Sequence, residues 1–103
     1  MTVEKSSFEN DELIISVEGR IDATNANEFS GAVTTIRKVN PGGTVILDLD
    51  GLAYISSAGL RVIVALLKSE KEHEPRIINL DPILLPVFKN TGMTSVMNVG
   101  VKE

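Results

Sequence analysis

Alternating apolar and polar positions near the start of the chain predict a β-hairpin. Residues Val3–Phe8 have strand character, and Leu13–Glu18 alternates between apolar and polar side chains. The second segment directs three apolar side chains to one face: Leu13, Ile15 and Val17. The polar stretch Glu9–Glu12 between the two segments is typical of a turn. We expect the chain to leave the sheet over Gly19–Asp22.

A helix with one apolar stripe is predicted after the hairpin. Thr24 and Asn25 are both good N-cap residues, and the helix should start near one of them. Its apolar stripe follows the i, i+4, i+7 spacing of a helix and comprises Phe29, Val33 and Ile36. The segment Asn40–Gly43 contains a proline and two glycines, so the helix should end there.

The middle of the chain continues as strand, helix and strand. The uninterrupted apolar run Thr44–Leu49 is typical of a central strand covered on both faces. We expect a short loop to follow it, then a second helix over residues 57 to 71 that ends in a charged loop. Arg76–Leu80 is the next predicted strand.

A third helix and an edge strand are predicted near the end of the chain. Asp81 followed by Pro82 resembles an N-cap and the first position of a helix. Pro86 lies inside this segment, so the helix is either short and begins nearer Pro86 or is bent there. Gly92 is expected to end it, and Thr94–Val99 to form the last strand.

The resulting order, β-β-α-β-α-β-α-β, predicts the fold class. Strands that alternate with helices favour an α/β domain, and right-handed crossovers place the helices against the sheet. We expect a mixed, partly parallel sheet of four to five strands packed with three or more helices. The 103 residues suffice for a single domain, residues 1–103, in which Val, Ile and Leu build the core because aromatic residues are scarce.

Composition excludes several classes of protein. The chain has no cysteine, which excludes disulfides and thiolate metal sites and fits a reducing cytosol, so we expect a cytoplasmic protein. No run approaches the roughly 20 apolar residues needed to span a bilayer, and Met1–Lys5 lacks the character of a signal peptide. The formal net charge of −4 argues against general nucleic-acid binding. We therefore expect neither membrane insertion nor nucleic acid as a partner.

Two adjacent serines open the second helix and form the most informative local feature. Ser56 or Ser57 can cap this helix, which is the commonest reason for serine at such a position. The turn also follows a central strand, where open α/β sheets usually place their sites. A phosphate on Ser57 would lie among unpaired N–H groups and the positive end of the helix dipole. Gly59 lacks a side chain in the first turn and lets another group approach closely.

The second helix also suggests a docking surface for a protein. Arg61 lies four residues after Ser57 on the same helical face, and it either pairs with a phosphate or an acidic partner or is simply solvated. The helix is apolar nearly all round, although a helix on one face of a sheet exposes its other side. Val62 and Leu66 are the predicted outward-facing positions.

Two aspartates are candidates to flank the serine turn. We expect Asp22 and Asp48 to lie at strand ends near it. Turn or capping chemistry is the safer interpretation for Asp48, whereas the loop that holds Asp22 is free to flank the turn. Asn25 is interpreted as a cap of the first helix only.

Enzymatic motifs are absent from the sequence, so we predict a protein that is not an enzyme. Neither serine has the two flanking glycines of a hydrolase elbow, and the sole histidine, His73, lies in a charged loop. No Walker or dinucleotide-binding glycine pattern is present. Asp48 and Asp50 would share a face for Mg²⁺ only in a regular strand. We therefore expect no catalytic residues, metal or cofactor.

Over nearly its full length, the chain resembles the STAS family, specifically the stand-alone anti-sigma factor antagonists. The resemblance is carried by Gly19–Asp22, Val45–Leu49, Tyr54–Leu60 and Asn90–Met93, of which the serine turn is the most specific. It implies a bacterial partner-switching role. The unmodified antagonist binds an anti-sigma factor that is also a serine kinase with a histidine-kinase-like ATPase fold. Phosphorylation ends binding, and a PP2C-type phosphatase restores it.

The resemblance also assigns site residues. The family's phosphoacceptor corresponds to Ser57 and its acidic loop residue to Asp22. Well-known members carry aspartate directly before the phosphoacceptor, whereas this chain has Ser56, which is therefore the alternative acceptor. The full predicted partner-binding set is Asp22, Ser56, Ser57, Ala58, Gly59, Arg61, Val62 and Leu66.

Two other functions stay open at this point. One is a STAS scaffold or interaction module that is not phosphorylated and acts in a sensory, secretion-regulating or transporter complex. The other is a small enzyme or nucleotide-binding domain. Incubation with a candidate switch kinase and ATP separates the first from partner switching, and nucleotide binding by the isolated protein would favour the second.

Overall fold

The elements of the fold follow the predicted order. A computed structural model describes residues 1–90 and 98–103 of the chain. Its strands are β1 Thr2–Glu9, β2 Glu12–Ile21, β3 Thr44–Ile55, β4 Arg76–Leu80 and β5 Asn98–Val101. Its α-helices are α1 Ala26–Val39, α2 Ser57–Ser69 and α3 Leu85–Lys89, and short 3₁₀ turns cover Lys71–His73 and Pro82–Leu84.

The five strands form one mixed sheet in the order β1-β2-β3-β4-β5. β1 and β2 pair antiparallel as the predicted hairpin, and every later pair is parallel. The prediction of a mixed, partly parallel α/β sheet is confirmed. Parallel pairing brings the carboxyl ends of β2, β3 and β4 to the same edge of the sheet, and the serine turn leaves the sheet from this edge.

Two strands are longer than the sequence predicted. The chain does not leave the sheet at Gly19, because β2 pairs with β3 as far as Ile21 opposite Ile55. Nor does a loop follow Leu49, since β3 continues to Ile55. The pairing shifts register twice between β2 and β3, so β3 accommodates extra residues as bulges without leaving the ladder.

The core lies between one face of the sheet and the helices. Leu, Ile and Val side chains dominate it, as predicted, with Phe29 and Phe88 as its two largest fully buried members. In the predicted stripe of α1, Phe29 and Val33 are buried and Ile36 is half-buried. On α2 the buried residues are Gly59, Leu60, Ile63 and Leu67.

The third helix is short, which agrees with one of the two predicted alternatives. Asp81 Oδ1 accepts a hydrogen bond from the Ile83 N–H at 3.0 Å and caps the 3₁₀ turn rather than the α-helix. Pro86 lies at the start of α3, where its missing N–H has no consequence. The predicted helix end at Gly92 and positions 94–97 of the predicted last strand lie outside the described residues, and β5 begins at Asn98.

An arginine ties the carboxyl ends of α1 and α2 together. Arg37 Nη2 lies 2.8 Å from Glu70 Oε1, and Arg37 Nε lies 3.2 Å from Glu70 Oε2. The same guanidinium donates to the carbonyls of Asn40, Gly42 and Gly43 in the loop after α1.

Within residues 1–90 and 98–103, no helix has both the length and the apolar character to cross a bilayer.

Candidate functional site

The two hydroxyl groups of the serine turn differ in their hydrogen bonds and in their exposure to solvent. Ser56 is the N-cap of α2, and its Oγ accepts a hydrogen bond from the Gly59 N–H at 3.2 Å. Its backbone N–H donates to the Ile21 carbonyl at 2.9 Å, and its carbonyl accepts from the Leu60 N–H at 2.9 Å. Ser56 is thus a half-buried residue that joins the end of β2 to the start of α2.

Ser57 is the first residue of α2 and is exposed to solvent. Its hydroxyl makes no hydrogen bond to the described part of the chain. The backbone N–H groups of Ser57 and Ala58 likewise have no acceptor among the described residues, as expected for the first turn of a helix. An accessible hydroxyl therefore lies beside unpaired donors and the positive end of the helix dipole.

The loop that contains Asp22 leaves the sheet beside the serine turn. Ile21 is the last residue of β2 and is paired with Ile55, the last residue of β3. Asp22 and Ser56 directly follow these two paired residues. The expectation that Asp22 flanks the serine turn is confirmed by this register.

A network of short hydrogen bonds holds the Asp22 loop. Asp22 Oδ1 accepts from the Thr24 hydroxyl at 2.6 Å, from the Thr24 N–H at 2.9 Å and from the Asn25 N–H at 3.2 Å. The hydrogen bond from the Thr24 side chain is the largest of the effects that hold the pKa of Asp22 below its ordinary value of 3.8, followed by the Thr24 backbone bond. The Asp22 side chain is therefore an ionised carboxylate at neutral pH.

The Asn25 side chain does not perform the predicted capping of α1. Asn25 is the N-cap residue of this helix, but its side chain makes no capping hydrogen bond. Instead, Asn25 Oδ1 accepts from the Asp22 N–H at 2.8 Å, and Nδ2 donates to the Arg20 carbonyl at 2.9 Å. The side chain thus braces the loop that carries the carboxylate, because an Asx side chain readily bonds nearby backbone groups.

Arg20 and Tyr54 were not among the predicted site residues, although both lie in segments that carry the resemblance. The two residues are paired across β2 and β3, and the Arg20 guanidinium carbon lies 4.4 Å from the centre of the Tyr54 ring. Both are exposed, and they point to the sheet face opposite Ile21 and Ile55 because neighbouring strand residues alternate. Each residue lies within three positions of Asp22 or Ser57, and this closeness in sequence was the available signal. Their pairing could not be predicted, because it occurs in the parts of β2 and β3 that extend beyond the predicted strands.

The exposed stripe of α2 is more polar than the sequence predicted. Ser57, Arg61 and Ala65 recur every four residues and are exposed. Arg61 has no carboxylate partner among the described residues. Val62 and Leu66 are half-buried and pack against the core, which corrects the prediction that they face outward. Their part in partner binding stays a prediction, as does that of half-buried Ala58.

The close approach at Gly59 is made by the chain itself. A Cβ atom built on Gly59 would lie 2.5 Å from Ile21 Cγ2 and 3.0 Å from Ile55 Cγ1. Gly59 is buried, so its missing side chain lets the first turn of α2 pack directly on the ends of β2 and β3. The absence of a side chain therefore positions Ser57 rather than leaving room for a ligand.

Asp48 does not lie at a strand end beside the serine turn, so its predicted placement is wrong, whereas the local turn-type hydrogen bonding of the safer interpretation is present. It lies inside β3, paired with Ser16 and Ile78, and its Oδ1 accepts from the Asp50 N–H and from Asn79 Nδ2. β3 bulges directly after Asp48, so the regular strand that a shared Mg²⁺ face requires is not present there. Among residues 1–90 and 98–103, no group of three or more potential ligands is placed to hold a metal.

The fold and its serine turn define a small α/β domain with an exposed hydroxyl at a helix amino terminus. The family model of the STAS domain matches residues 2–102. The chain therefore belongs to the STAS domain family.

Two relatives match most of the chain by sequence. BtrV of Bordetella bronchiseptica is 32% identical over 90 residues, which cover 84% of this chain and 76% of that protein. The anti-sigma-B factor antagonist of Listeria monocytogenes is 27% identical over 101 residues, which cover 96% of this chain and 88% of that protein.

Solved structures share the fold at lower identity. An anti-sigma factor antagonist from Mycobacterium paratuberculosis superposes with a TM-score of 0.83 at 20% identity, covering 96% of this chain and 84% of that one. The anti-sigma factor antagonist SpoIIAA in its unphosphorylated form gives a TM-score of 0.70 at 17% identity, covering 95% and 87%. The phosphorylated form of SpoIIAA, a Bacillus cell fate determinant, gives 0.66 at 16% identity, covering 95% and 90%.

Proposed function

We propose that this protein is an anti-sigma factor antagonist that works by partner switching in the bacterial cytoplasm. The unmodified form binds an anti-sigma factor that is also a serine kinase with a histidine-kinase-like ATPase fold. That kinase phosphorylates Ser57 and so releases the antagonist, and a PP2C-type phosphatase removes the phosphate. The names of the Listeria relative and of the Mycobacterium and SpoIIAA structures support the antagonist role.

The observation that carries the proposal is the different environment of the two serine hydroxyl groups. Ser57 is exposed and its hydroxyl has no hydrogen bond to the described residues, whereas Ser56 is half-buried and its Oγ caps α2. A kinase needs an accessible hydroxyl, so this difference favours Ser57 over Ser56 as the acceptor. The two forms of SpoIIAA, unphosphorylated and phosphorylated, support the view that this fold can carry a phosphate.

The position of Ser57 supports the proposal that one phosphate controls binding. Phosphorylation adds about −1.5 to −2 charges at neutral pH. The unpaired N–H groups of Ser57 and Ala58 and the Arg61 side chain stabilise this charge in the free antagonist. In a complex that covers Ser57, the same charge loses its hydration and meets the partner surface. A penalty of about 3 kcal/mol lowers affinity more than a hundredfold.

Asp22, on the loop beside the serine turn, and Arg61, four residues after Ser57 on α2, supply opposite charges near the acceptor. The carboxylate of Asp22 is held by Thr24 and Asn25, so its orientation does not depend on the partner. Arg61 is exposed on the same helical face as Ser57. We propose that both contact the kinase in the complex, Asp22 through a basic group of the partner and Arg61 through an acidic one.

The proposal is tested by incubating the protein with a candidate switch kinase and ATP and locating the phosphate by mass spectrometry. We expect one phosphate on Ser57 and none on Ser57→Ala. Ser56→Asn is the matched control, because asparagine keeps the N-cap while removing the second hydroxyl. This variant should be phosphorylated like the unmodified sequence.

Two outcomes would contradict the proposal. A phosphate on Ser56, lost in Ser56→Asn and kept in Ser57→Ala, would move the switch to the other hydroxyl. If the protein binds the kinase and takes up no phosphate at all, it acts as a STAS interaction module that is not phosphorylated.

A further inference from the structure

A cavity of about 280 Å³ lies between α1 and α2, at the end of α2 opposite the serine turn. Its floor is aliphatic and comprises Val33, Val45, Leu47, Leu66 and Leu67. Leu66 is half-buried and the other four are buried, so the floor reaches into the core. Thr34, Lys38 and Ser69 also line the cavity and are exposed, so its mouth opens to solvent.

The mouth carries one uncompensated positive charge among the described residues. Arg37 and Glu70 both line the cavity, but they form an ion pair with each other at 2.8 Å. Lys38 is exposed and has no carboxylate partner in the described part of the chain. An aliphatic floor beneath a single ammonium group is suited to a chain-like apolar molecule that ends in one negative charge.

The cavity volume limits the length of such a molecule. An engineered apolar cavity of about 150 Å³ holds benzene, which has six carbon atoms. By proportion, a cavity of about 280 Å³ accommodates roughly 11 carbon atoms, so the ten carbons of decanoate fit and the twelve of dodecanoate do not. Longer chains would extend past the exposed residues at the mouth into water and gain nothing further.

We propose that the cavity between α1 and α2 binds a medium-chain carboxylate, with its acyl chain on the aliphatic floor and its carboxylate at Lys38. The site shares α2 with the serine turn but none of the turn's residues, and Leu66 is the one lining residue that also belongs to the predicted partner-binding set. The titration below uses no partner protein, so its result does not rest on that set. Leu66 lies nine residues beyond Ser57, about 13 Å along the helix axis. The inference therefore does not depend on phosphorylation or on the proposed partner.

Titration with hexanoate, octanoate, decanoate and dodecanoate, each below its micelle-forming concentration, tests the proposal. Amide chemical shifts of the ¹⁵N-labelled full chain report both affinity and location. We expect shifts in the carboxyl-terminal halves of α1 and α2. Affinity should increase about fourfold for each added methylene until roughly ten carbons and then level off.

Variants at the floor and the mouth separate this site from general adsorption. Leu66→Phe fills the floor and should abolish binding of decanoate. Thr34→Trp covers the mouth from an exposed position, so it gives the same test if Leu66→Phe fails to fold. Lys38→Gln should weaken decanoate about two- to fivefold and leave decanol unchanged. Lys68→Gln removes a charge from the exposed face of α2 outside the cavity and should change nothing.

Three results would overturn the proposal. One is the absence of shifts with every carboxylate in the series. Another is an affinity that continues to increase through dodecanoate and persists in both Leu66→Phe and Thr34→Trp, which indicates adsorption to the surface. The third is an equal loss of decanoate affinity in Lys38→Gln and Lys68→Gln, which would show that Lys38 does not bind the carboxylate.

Discussion

Replacing Gly59 by alanine tests how the serine turn is positioned. In an ordinary helix, glycine to alanine stabilises by up to about 1 kcal/mol, because glycine loses more backbone freedom on folding. At Gly59 the added methyl group would lie 2.5 Å from Ile21 Cγ2 and 3.0 Å from Ile55 Cγ1. Both isoleucines are buried, at 0% and 3% exposure, so neither side chain can move into solvent.

The steric cost should exceed the gain in helix propensity. Overpacking a buried site by a methyl group typically costs about 1–3 kcal/mol. The 2.5 Å approach to the buried Ile21 side chain favours the upper part of this range, about 2–3 kcal/mol. Subtracting about 1 kcal/mol of propensity leaves a net destabilisation of about 1–2 kcal/mol for Gly59→Ala. For a domain of this size, that corresponds to a decrease in Tm of at least about 4 °C.

Gly31→Ala is the matched control, because Gly31 lies in α1 and a Cβ built there meets no atom within 4 Å. This variant should be stabilised by about 0.5–1 kcal/mol. Thermal and urea unfolding followed by far-UV circular dichroism measures both changes, and the lack of tryptophan makes this probe preferable to fluorescence. If Gly59→Ala stabilises the protein as Gly31→Ala does, α2 does not pack on the strand ends as described.

Two further predictions concern the charged groups. Arg37→Ala should destabilise by about 2–3 kcal/mol in urea unfolding, because it leaves the largely buried Glu70 carboxylate without its partner; a loss below 0.5 kcal/mol would contradict this. Thr24→Val should raise the pKa of Asp22 toward its ordinary value, measured by carboxyl ¹³C shifts. Because folding lowers this pKa, its contribution to stability is present above about pH 4 and is lost as the pH falls through the folded pKa. If Asp22 titrates unchanged in Thr24→Val, the hydrogen bond from the Thr24 hydroxyl is not what lowers the Asp22 pKa.

Features set by local patterns were predictable from the sequence. The hairpin, the apolar stripe of α1 and the strand Arg76–Leu80 follow from periodicity and turn residues, and the structure places them as predicted. The serine turn was also predictable, because a serine N-cap before an apolar run is a local signal. Asp22 flanks it for a topological reason, namely that parallel strands end at the same edge of the sheet.

Features set by pairing between distant segments were not predictable. Asp50 and Gly51 resemble a turn, yet β3 runs through them because β2 provides a ladder partner and the bulges absorb the mismatch. The misplacement of Asp48 follows from the same error. Val62 and Leu66 were assigned outward because the sequence of a single helix gives no information on its neighbours. In the folded domain both side chains pack in part against the core.

We propose above all that one phosphate on Ser57 prevents this protein from binding its kinase partner. The most direct test is isothermal titration of the partner with unmodified and stoichiometrically phosphorylated protein, in the presence of a non-hydrolysable ATP analogue. We predict that phosphorylation raises Kd more than a hundredfold, whereas treatment with a PP2C-type phosphatase restores the original value. Equal Kd values for the two forms, with the phosphate mapped to Ser57, would contradict the account.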